Sequence, residues 1–157
     1  MQFRLANKTD IPSLVDLRLA YLCEDFPSQT AKISSMIQEQ LPDYFHRRLG
    51  NDLLVFVCEE DARIVSTVFL LITEKPANPN FPTGLTGTVL NVYTQPQYRK
   101  RGYATRLMEL AIREAGLQNL SYLELKATKA GLPLYRKLGF IPEKSKNPSM
   151  RYPVFHS

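Results

Sequence analysis

The chain has 157 residues, 44% of them hydrophobic, which favours one compact domain, residues 1–157, with a core of its own. No window approaches the ~18 uninterrupted apolar residues of a membrane-spanning helix, and the first residues are too polar for a secretory signal. We therefore expect a cytoplasmic protein without a membrane partner. The formal net charge of +5 favours anionic partners such as nucleic acid, phosphorylated cofactors or acidic substrates.

One strand and two helices are predicted at the start of the chain. Phe3–Leu5 is a short strand, and Asp10 can cap the next helix, with Pro12 in its first turn. Because Pro42 interrupts the second helical stretch, we expect a kink or a break into two helices there. Apolar residues recur at helical spacing in the first stretch at Ile11, Leu14, Val15, Leu19 and Leu22, and in the second at Ile33, Met36, Ile37, Leu41, Phe45 and Leu49.

A hairpin and a long loop are predicted next. Leu53–Cys58 and Ile64–Ile72 are apolar strands joined by a turn at Glu60–Arg63. The segment Glu74–Leu85 contains three prolines and two asparagines, which indicates a loop. Loops of this length in compact domains are often lids or binding loops, and disorder without function is the alternative.

The second half of the chain is predicted to alternate strands with helices. Thr86–Thr94 is predicted to be a strand. A helix follows from about Gly102 to Gly116, and its apolar face carries Leu107, Met108, Ala111 and Ala115. The remaining predicted elements are a strand at Tyr122–Leu125, a helix at Gly131–Leu138 and final strand pieces at Phe140–Ile141 and Arg151–Val154. This order predicts a mixed α/β domain with one central sheet and helices on both faces.

The cysteines and histidines do not predict a metal site. Cys23 and Cys58 lie in apolar segments without paired spacing, so reduced buried thiols are favoured over a disulfide or a catalytic thiol. His46 and His156 have no ligand-like spacing with the cysteines. We therefore expect a protein that uses no metal.

Three cations stand where a helix begins, which is locally unfavourable. Arg99, Lys100 and Arg101 precede Gly102, although the N-terminal end of a helix dipole favours acidic residues by ~0.3–1 kcal/mol each. An anion bound by the unpaired amides and the basic side chains would remove the conflict, and Gly102 and Ala104 would let a phosphate approach closely. The alternatives are a solvated basic turn or a nucleic-acid patch, and the latter lacks an aromatic ladder or a helix-turn-helix pattern.

Two motifs in the second half of the chain resemble those of a known family. Arg99-x-x-Gly102-x-Ala104 follows the strand that ends in Val92-Tyr93-Thr94, and Leu134-Tyr135-x-x-x-Gly139-Phe140 comes later in the chain. Together they closely resemble the acetyl-CoA signature and the later motif of the GCN5-related N-acetyltransferases (GNAT family). The resemblance covers about the last half of the chain and implies a central, mostly antiparallel sheet.

The resemblance implies where acetyl-CoA binds. The loop amides would hold the pyrophosphate, and a bulge in the preceding strand would bind the pantetheine arm, with the Val92 N–H facing the thioester carbonyl. Many family members carry Asn where this chain has Thr128. The residues expected to contact the cofactor are Val92, Tyr93, Thr94, Arg99, Lys100, Arg101, Gly102, Tyr103, Ala104, Thr105, Thr128 and Tyr135.

The resemblance also implies the chemistry, in which an amine attacks the thioester directly. Tyr135 resembles the general acid that protonates the departing thiolate, although it is also an ordinary core tyrosine by position. A base must remove a proton from the amine unless it arrives deprotonated. The sequence does not select this base, and Tyr21 or Tyr93 could line the acceptor cleft. The candidates for the base are Glu24, Asp25, Glu59, Glu60 and Glu124.

The expected function is acetyl transfer from acetyl-CoA to a primary amine. A small-molecule acceptor is favoured because the chain is short and no second domain is available to grip a polypeptide. The alternatives are a CoA-binding sensor without catalysis, acetylation of a protein amine, and a nucleic-acid-binding domain. A homodimer is a further possibility, since edge strands near the C-terminus often pair in this family.

Overall fold

The computed structural model describes residues 1–28 and 35–155, and it has one central sheet with flanking helices. The chain divides into two compact units, Met1–Lys126 and Ala127–Ser157, so the single domain stays a prediction. The elements are β1 (Gln2–Leu5), α1 (Ile11–Asp25), α2 (Ser35–Arg48), β2 (Leu53–Glu60), β3 (Arg63–Glu74), β4 (Leu85–Thr94), α3 (Tyr103–Leu117), β5 (Leu123–Glu124) and α4 (Leu132–Leu138). The predicted mixed α/β class is confirmed.

The sheet lies wholly in the first unit and runs in the order β1-β2-β3-β4-β5. The first three pairings are antiparallel and the last is parallel, which confirms the mostly antiparallel sheet. β2 and β3 are joined by the predicted tight turn, in which Asp61 and Ala62 both have positive φ angles (47° and 60°). Two residues of positive φ form the turn whose twist matches that of a hairpin.

Alternation along the strands divides the apolar residues between two layers. Leu53, Val55 and Val57 of β2 pack with residues of α1 and α2 in one buried cluster. Phe56 and Cys58 are also buried but point to the opposite face, because successive strand residues alternate. α3 packs against β2, β3 and β4, and the apolar residues that the sequence assigned to its inner face are buried.

Asp10 does not cap α1 with its side chain, contrary to the prediction from the sequence. It occupies the position before α1, but its carboxylate makes no hydrogen bond to the helix. It instead accepts hydrogen bonds from Arg4 at 2.8 and 3.0 Å and from the Asn7 amide at 2.8 Å. The reason is the 3-10 turn just before α1, whose capping box with Asn7 takes the carboxylate.

This arrangement predicts a pH-dependent contribution to stability. Arg4, and more weakly the Asn7 amide, hold the pKa of Asp10 below its usual value, so its contribution is complete above pH ~4 and is lost as pH falls through the lowered pKa. We expect Asp10→Asn to lower the free energy of unfolding by about 1.5–3 kcal/mol at pH 7 and by progressively less below pH ~4. Denaturant unfolding at several pH values measures this. Asp16→Asn, at an exposed position on α1, is the control, and a pH-independent Asp10 effect would contradict the account.

Of the two outcomes predicted at Pro42, the break into two helices is wrong, because α2 is one helix with this proline inside it, and the kink stays a prediction. Leu41 and Phe45 are buried on either side of Pro42, and their packing offsets a local cost of about 3 kcal/mol. Ile33, which the sequence assigned to the same stretch, lies outside the described residues.

The predicted strand pieces at Phe140–Ile141 and Arg151–Val154 are also wrong, since both segments are irregular. α4 ends as expected at Gly139, whose φ of 100° is left-handed. Val154 is 82% exposed, and no strand of the described residues pairs with this part of the chain. A segment of β-favouring composition stays irregular when no partner strand accepts its backbone hydrogen bonds.

The proline-rich segment is a folded connection between β3 and β4. The Lys75 amide donates to the Gly84 carbonyl at 2.7 Å, and Asn78 and Phe81 form an isolated bridge. The Phe81 ring packs edge-on against Tyr122, with ring centroids 6.4 Å apart. The disorder alternative therefore does not describe this loop, and its role as a lid stays a prediction.

Candidate active site

The predicted bulge in β4 is present. Thr67 of β3 pairs with Tyr93 and Phe69 pairs with Leu90, so two β4 residues lie opposite one β3 residue. The two residues are Asn91 and Val92. A bulge of this kind leaves an extra residue outside the regular ladder and re-aims the backbone groups around it.

Asn91 stabilises the bulge from within. It is 3% exposed and has a φ of 50°, a left-handed conformation that Asn adopts more readily than most residues. Its side-chain Nδ2 donates to Thr67 Oγ1 at 3.1 Å, and that hydroxyl donates to the Asn91 carbonyl at 3.0 Å. Arg18 of α1 donates to Asn91 Oδ1 at 3.3 Å. Sequence reasoning missed both Asn91 and Arg18.

β4 separates from β5 just before the bulge. Only Gly87 with Leu123 and Thr88 with Glu124 are paired, and within the described residues no strand continues beside β4 beyond them. A Cβ on Gly87 would lie 2.5 Å from Leu123 Cδ2, so the glycine lets the two strands approach here. Beyond this point the outer edge of β4 is unpaired among the described residues, and like any unpaired strand edge it presents N–H and C=O groups that a ligand can bind.

The N-terminus of α3 carries unpaired amides and an open approach. Gly102 precedes the helix with a φ of 79°, makes no side-chain cap, and accepts the first helical hydrogen bond from the Arg106 amide at 3.1 Å. The amides of the intervening Tyr103, Ala104 and Thr105 therefore have no intrahelical partner. A Cβ at Gly102 would meet no atom within 4 Å. This combination suits a phosphate group.

The position of Gly102 differs from the one that the sequence predicts. The sequence placed it in the first helical turn, where glycine is unfavourable, but it is the residue before the helix and has a left-handed backbone. Lys100 is left-handed as well, with a φ of 64°, which is strained for a residue with a side chain. A strained backbone conformation of this kind persists only where the surrounding structure holds it in place.

Two of the three cations before α3 already have partners. Arg99 Nη2 bonds both oxygens of Glu24 at 2.8 and 2.9 Å, and its Nε donates to the Thr94 carbonyl at 2.8 Å. Arg101 lies 3.5 Å from Glu60. Lys100 is exposed. The main-chain amides therefore fit a phosphate more directly than the guanidinium groups do.

The aromatic residues of the motif point inward. Tyr103 is 7% exposed and packs edge-on against Phe3, and its hydrogen bond to Glu60 raises the pKa of its hydroxyl. Tyr93 donates to Glu24 at 3.2 Å, and burial, followed by Glu24, raises the pKa of Tyr93. Tyr103 is thus arranged to offer a ligand its main chain rather than its ring.

The candidate bases differ in their surroundings. Glu24 is held by Arg99, and Glu59 is paired with Arg4 at 2.7 Å. Glu124 is half-buried at the point where β4 and β5 separate, and it accepts a 3.4 Å hydrogen bond from Thr88. No lysine or arginine of the described residues forms an ion pair with Glu124.

The surroundings of the remaining two candidates, Asp25 and Glu60, do not favour a role as the general base. Asp25 is exposed at the last position of α1. Glu60 has one buried carboxylate oxygen without a hydrogen-bond partner among the described residues, and its position at the end of β2 lies near Arg101. Of the five acidic residues, Glu124 combines partial burial with a neutral hydrogen-bond partner at the strand separation.

The second unit holds Tyr135 on α4. Its ring is 7% exposed and packs edge-on against Phe140, with centroids 6.0 Å apart. A Cβ on Gly131 would lie 2.8 Å from Tyr135 Cε2, so the glycine permits a close approach of the ring. Thr128 Oγ1 accepts a 3.1 Å hydrogen bond from the Gly131 amide and so stabilises the turn before α4.

The two cysteines differ in burial. Cys58 is buried as expected, whereas Cys23 is only partly buried. Within residues 1–28 and 35–155, no three His, Cys, Asp or Glu side chains cluster closely enough to hold a metal ion. None of the helices in those residues has the length and apolar character needed to span a membrane.

Comparison with known proteins agrees with this geometry. The family described as acetyltransferase (GNAT) domain matches residues 51–142, and no curated protein matches the chain. A predicted acetyltransferase with acetyl-CoA from Clostridium acetobutylicum is 28% identical, with a TM-score of 0.82 over 96% of this chain and 95% of that one. A GCN5-related N-acetyltransferase from Ralstonia eutropha JMP134 is 24% identical, with a TM-score of 0.78 over 95% and 97%. The family match spans more than half of the chain, which therefore belongs to the GNAT acetyltransferases.

Proposed function

We propose that this protein transfers an acetyl group from acetyl-CoA to a primary amine. The observation that carries the proposal is the bulge at Asn91 and Val92 on an open strand edge, followed along the chain by the uncapped N-terminus of α3. One feature suits a thioester and the other a pyrophosphate. The acetyl-CoA named for the Clostridium acetobutylicum protein supports the same substrate here.

In this proposal the main chain does most of the binding. The amides of Tyr103, Ala104 and Thr105 hold the pyrophosphate, and the Val92 N–H donates to the thioester carbonyl. A donor fixed by the bulge stabilises the negative charge that grows on this oxygen as the amine attacks. The amine nitrogen bonds to the carbonyl carbon, the carbon–sulfur bond breaks, and the sulfur leaves as a thiolate.

Two protons must move during the reaction. We assign removal of the amine proton to Glu124, directly or through water, because it is half-buried where β4 and β5 separate and has no cationic partner among the described residues. We assign protonation of the thiolate to Tyr135. At reference pKa values of ~10 and ~8.5 full transfer from tyrosine to thiolate is uphill by about 2 kcal/mol, so a strengthening hydrogen bond serves nearly as well.

The acceptor in this proposal is a small molecule. This acceptor class is the one that the sequence favours, and acetylation of a protein amine is the alternative. The cytoplasmic location, the homodimer and the lack of nucleic-acid binding stay predictions from the sequence.

The proposal is tested by mixing the protein with acetyl-CoA and a panel of primary amines, and by following thiol release together with the mass of the acetylated product. We expect thiol release from acetyl-CoA only when a suitable amine is present. Calorimetric binding of coenzyme A without turnover of any primary amine would instead favour a CoA-binding sensor.

Glu124→Gln tests the assignment of the base. We expect kcat to fall by about 10²–10⁴ at pH 7, with unchanged affinity for coenzyme A, because general-base catalysis contributes a factor of this size. Glu109→Gln, at an exposed position on α3, is the matched control. Equal turnover by the Glu124 variant and the control, across the pH range, would show that the base lies elsewhere.

A further inference from the structure

Arg18 of α1 is partly buried and has no carboxylate partner among the described residues. Its side chain is partly withdrawn from solvent, its guanidinium lies 5.6 Å from the centre of the Tyr21 ring, and Nη1 donates to Asn91 Oδ1 at 3.3 Å. Among the described residues, no carboxylate forms an ion pair with it. Residues 29–34, Gln-Thr-Ala-Lys-Ile-Ser, contain no acidic residue that could supply one.

The other described arginines follow one of two patterns. Six of them form ion pairs with carboxylates: Arg4, Arg47, Arg48, Arg99, Arg101 and Arg106. Four have no such pair and are exposed to water: Arg63, Arg113, Arg136 and Arg151. Within the part of the chain that the structure describes, Arg18 is the one arginine that is both partly buried and without an ion pair.

This placement is energetically costly. A guanidinium has five N–H donors, and the amide oxygen of Asn91 satisfies one of them. Burial disfavours the charged form and lowers the pKa of Arg18, and the nearby Tyr21, Tyr44 and Asp25 oppose this shift only in part. A partly buried cation without a carboxylate partner is therefore a candidate site for an anionic ligand.

Arg18 also lies at a mechanistically useful place. Its hydrogen bond is to Asn91, the bulge residue immediately before Val92, whose N–H is proposed to hold the thioester carbonyl. The guanidinium therefore stands on the α1 side of the proposed reaction centre. Tyr21 borders the same region, since its ring packs edge-on against Tyr93 with centroids 6.3 Å apart.

We propose that the acceptor amine carries an anionic group, a carboxylate or a phosphate, and that Arg18 binds this group. The inference rests on the acetyl transfer proposed above and adds the chemical class of the acceptor. Arginine suits the role because its planar fork binds both oxygens of a carboxylate or phosphate. Asn91 orients the guanidinium through its side-chain oxygen, which leaves the other N–H groups for the substrate.

Matched acceptor pairs test the proposal. The first arm compares L-amino acids with their amides, and the second compares phosphoethanolamine with ethanolamine. We expect wild-type kcat/KM to favour the acidic member of one arm by at least about 30-fold, because a partly buried charge pair contributes strongly to binding. The arm that shows the preference identifies the anion as a carboxylate or a phosphate.

Arg18→Gln should remove that preference. We expect its KM for the acidic acceptor to rise at least about 30-fold while the neutral acceptor is unaffected. Arg18→Lys should restore the preference in part, because the charge returns without the fork. Arg113→Gln, at an exposed position on α3, is the charge-matched control. Equal losses for both acceptors in Arg18→Gln would mean that Arg18 only positions Asn91, which overturns the proposal.

Two readouts separate this proposal from the proposed function. Calorimetry with coenzyme A should give the same affinity in wild type and Arg18→Gln, and absent binding in wild type would defeat acetyl transfer itself. With coenzyme A at saturation, acetate and inorganic phosphate are titrated against the NMR signal of Arg18 Nε–H. We expect a saturable shift with one of them. Neutral acceptors used as well as their acidic partners in both arms, or no saturable shift with either anion, would overturn the proposal.

Discussion

Replacing Tyr135 by Phe is expected to lower kcat by about 10² or more while the affinity for coenzyme A stays unchanged. The substitution keeps the ring that packs against Phe140 and removes only the hydroxyl. If that hydroxyl donates a proton or a hydrogen bond to the departing thiolate, its loss acts in the transition state and not on cofactor binding. Steady-state kinetics with a good acceptor, combined with calorimetry, measure both quantities.

Tyr122→Phe is the matched control for this experiment. Tyr122 is partly buried, its ring packs against Phe81 in the connection between β3 and β4, and it has no proposed role in the reaction. We expect normal turnover from this variant. If Tyr135→Phe is equally active, Tyr135 is a packing residue and the thiolate takes its proton from another group or from water.

Gly102→Glu is expected to weaken coenzyme A binding by at least about 100-fold. The backbone of Gly102 has a φ of 79°, and a glutamate there adds strain, bulk and negative charge beside the unpaired amides of α3. The added carboxylate can occupy the end of the helix dipole and repel the phosphates. Calorimetric titration with coenzyme A measures the loss.

Gly50→Glu provides a close control for strain and charge. Gly50 has a φ of 84°, and its absent Cβ would also meet no atom within 4 Å, but it lies in the turn before β2. Both substitutions should destabilise the fold by a similar ~1–2 kcal/mol, the cost of left-handed backbone for a residue with a side chain. Only Gly102→Glu should lose the ligand. Equal affinities in the two variants would separate Gly102 from the binding site.

Local patterns in the sequence predict most of the helices and strands. The tight turn at Glu60–Arg63 lies between two apolar runs, and the inner face of α3 repeats apolar residues at helical spacing. The same local logic fails at Arg151–Val154, where β-favouring residues have no partner strand among the described residues. It also misjudges Asp10, whose carboxylate is taken by a turn that the sequence pattern does not reveal.

The candidate site is only partly visible in the sequence. The motif from Arg99 to Ala104 indicates a phosphate loop, but the contacts that surround it join residues far apart in the chain. Arg18 meets Asn91 across 73 positions, and Arg99 meets Glu24 across 75. An asparagine in an apolar strand was the available signal for the bulge, because Asn is enriched at positive φ.

The most direct test of where acetyl-CoA binds is a titration of the ¹⁵N-labelled protein with coenzyme A, followed by the backbone amide NMR signals. We expect the largest shifts at Val92 and at Gly102–Thr105. The competing location is an open cleft of about 540 Å³ on the α1–α2 side, lined in part by the basic residues Lys8 and His46. Saturable shifts around that cleft, with Val92 and the start of α3 unmoved, would contradict the account.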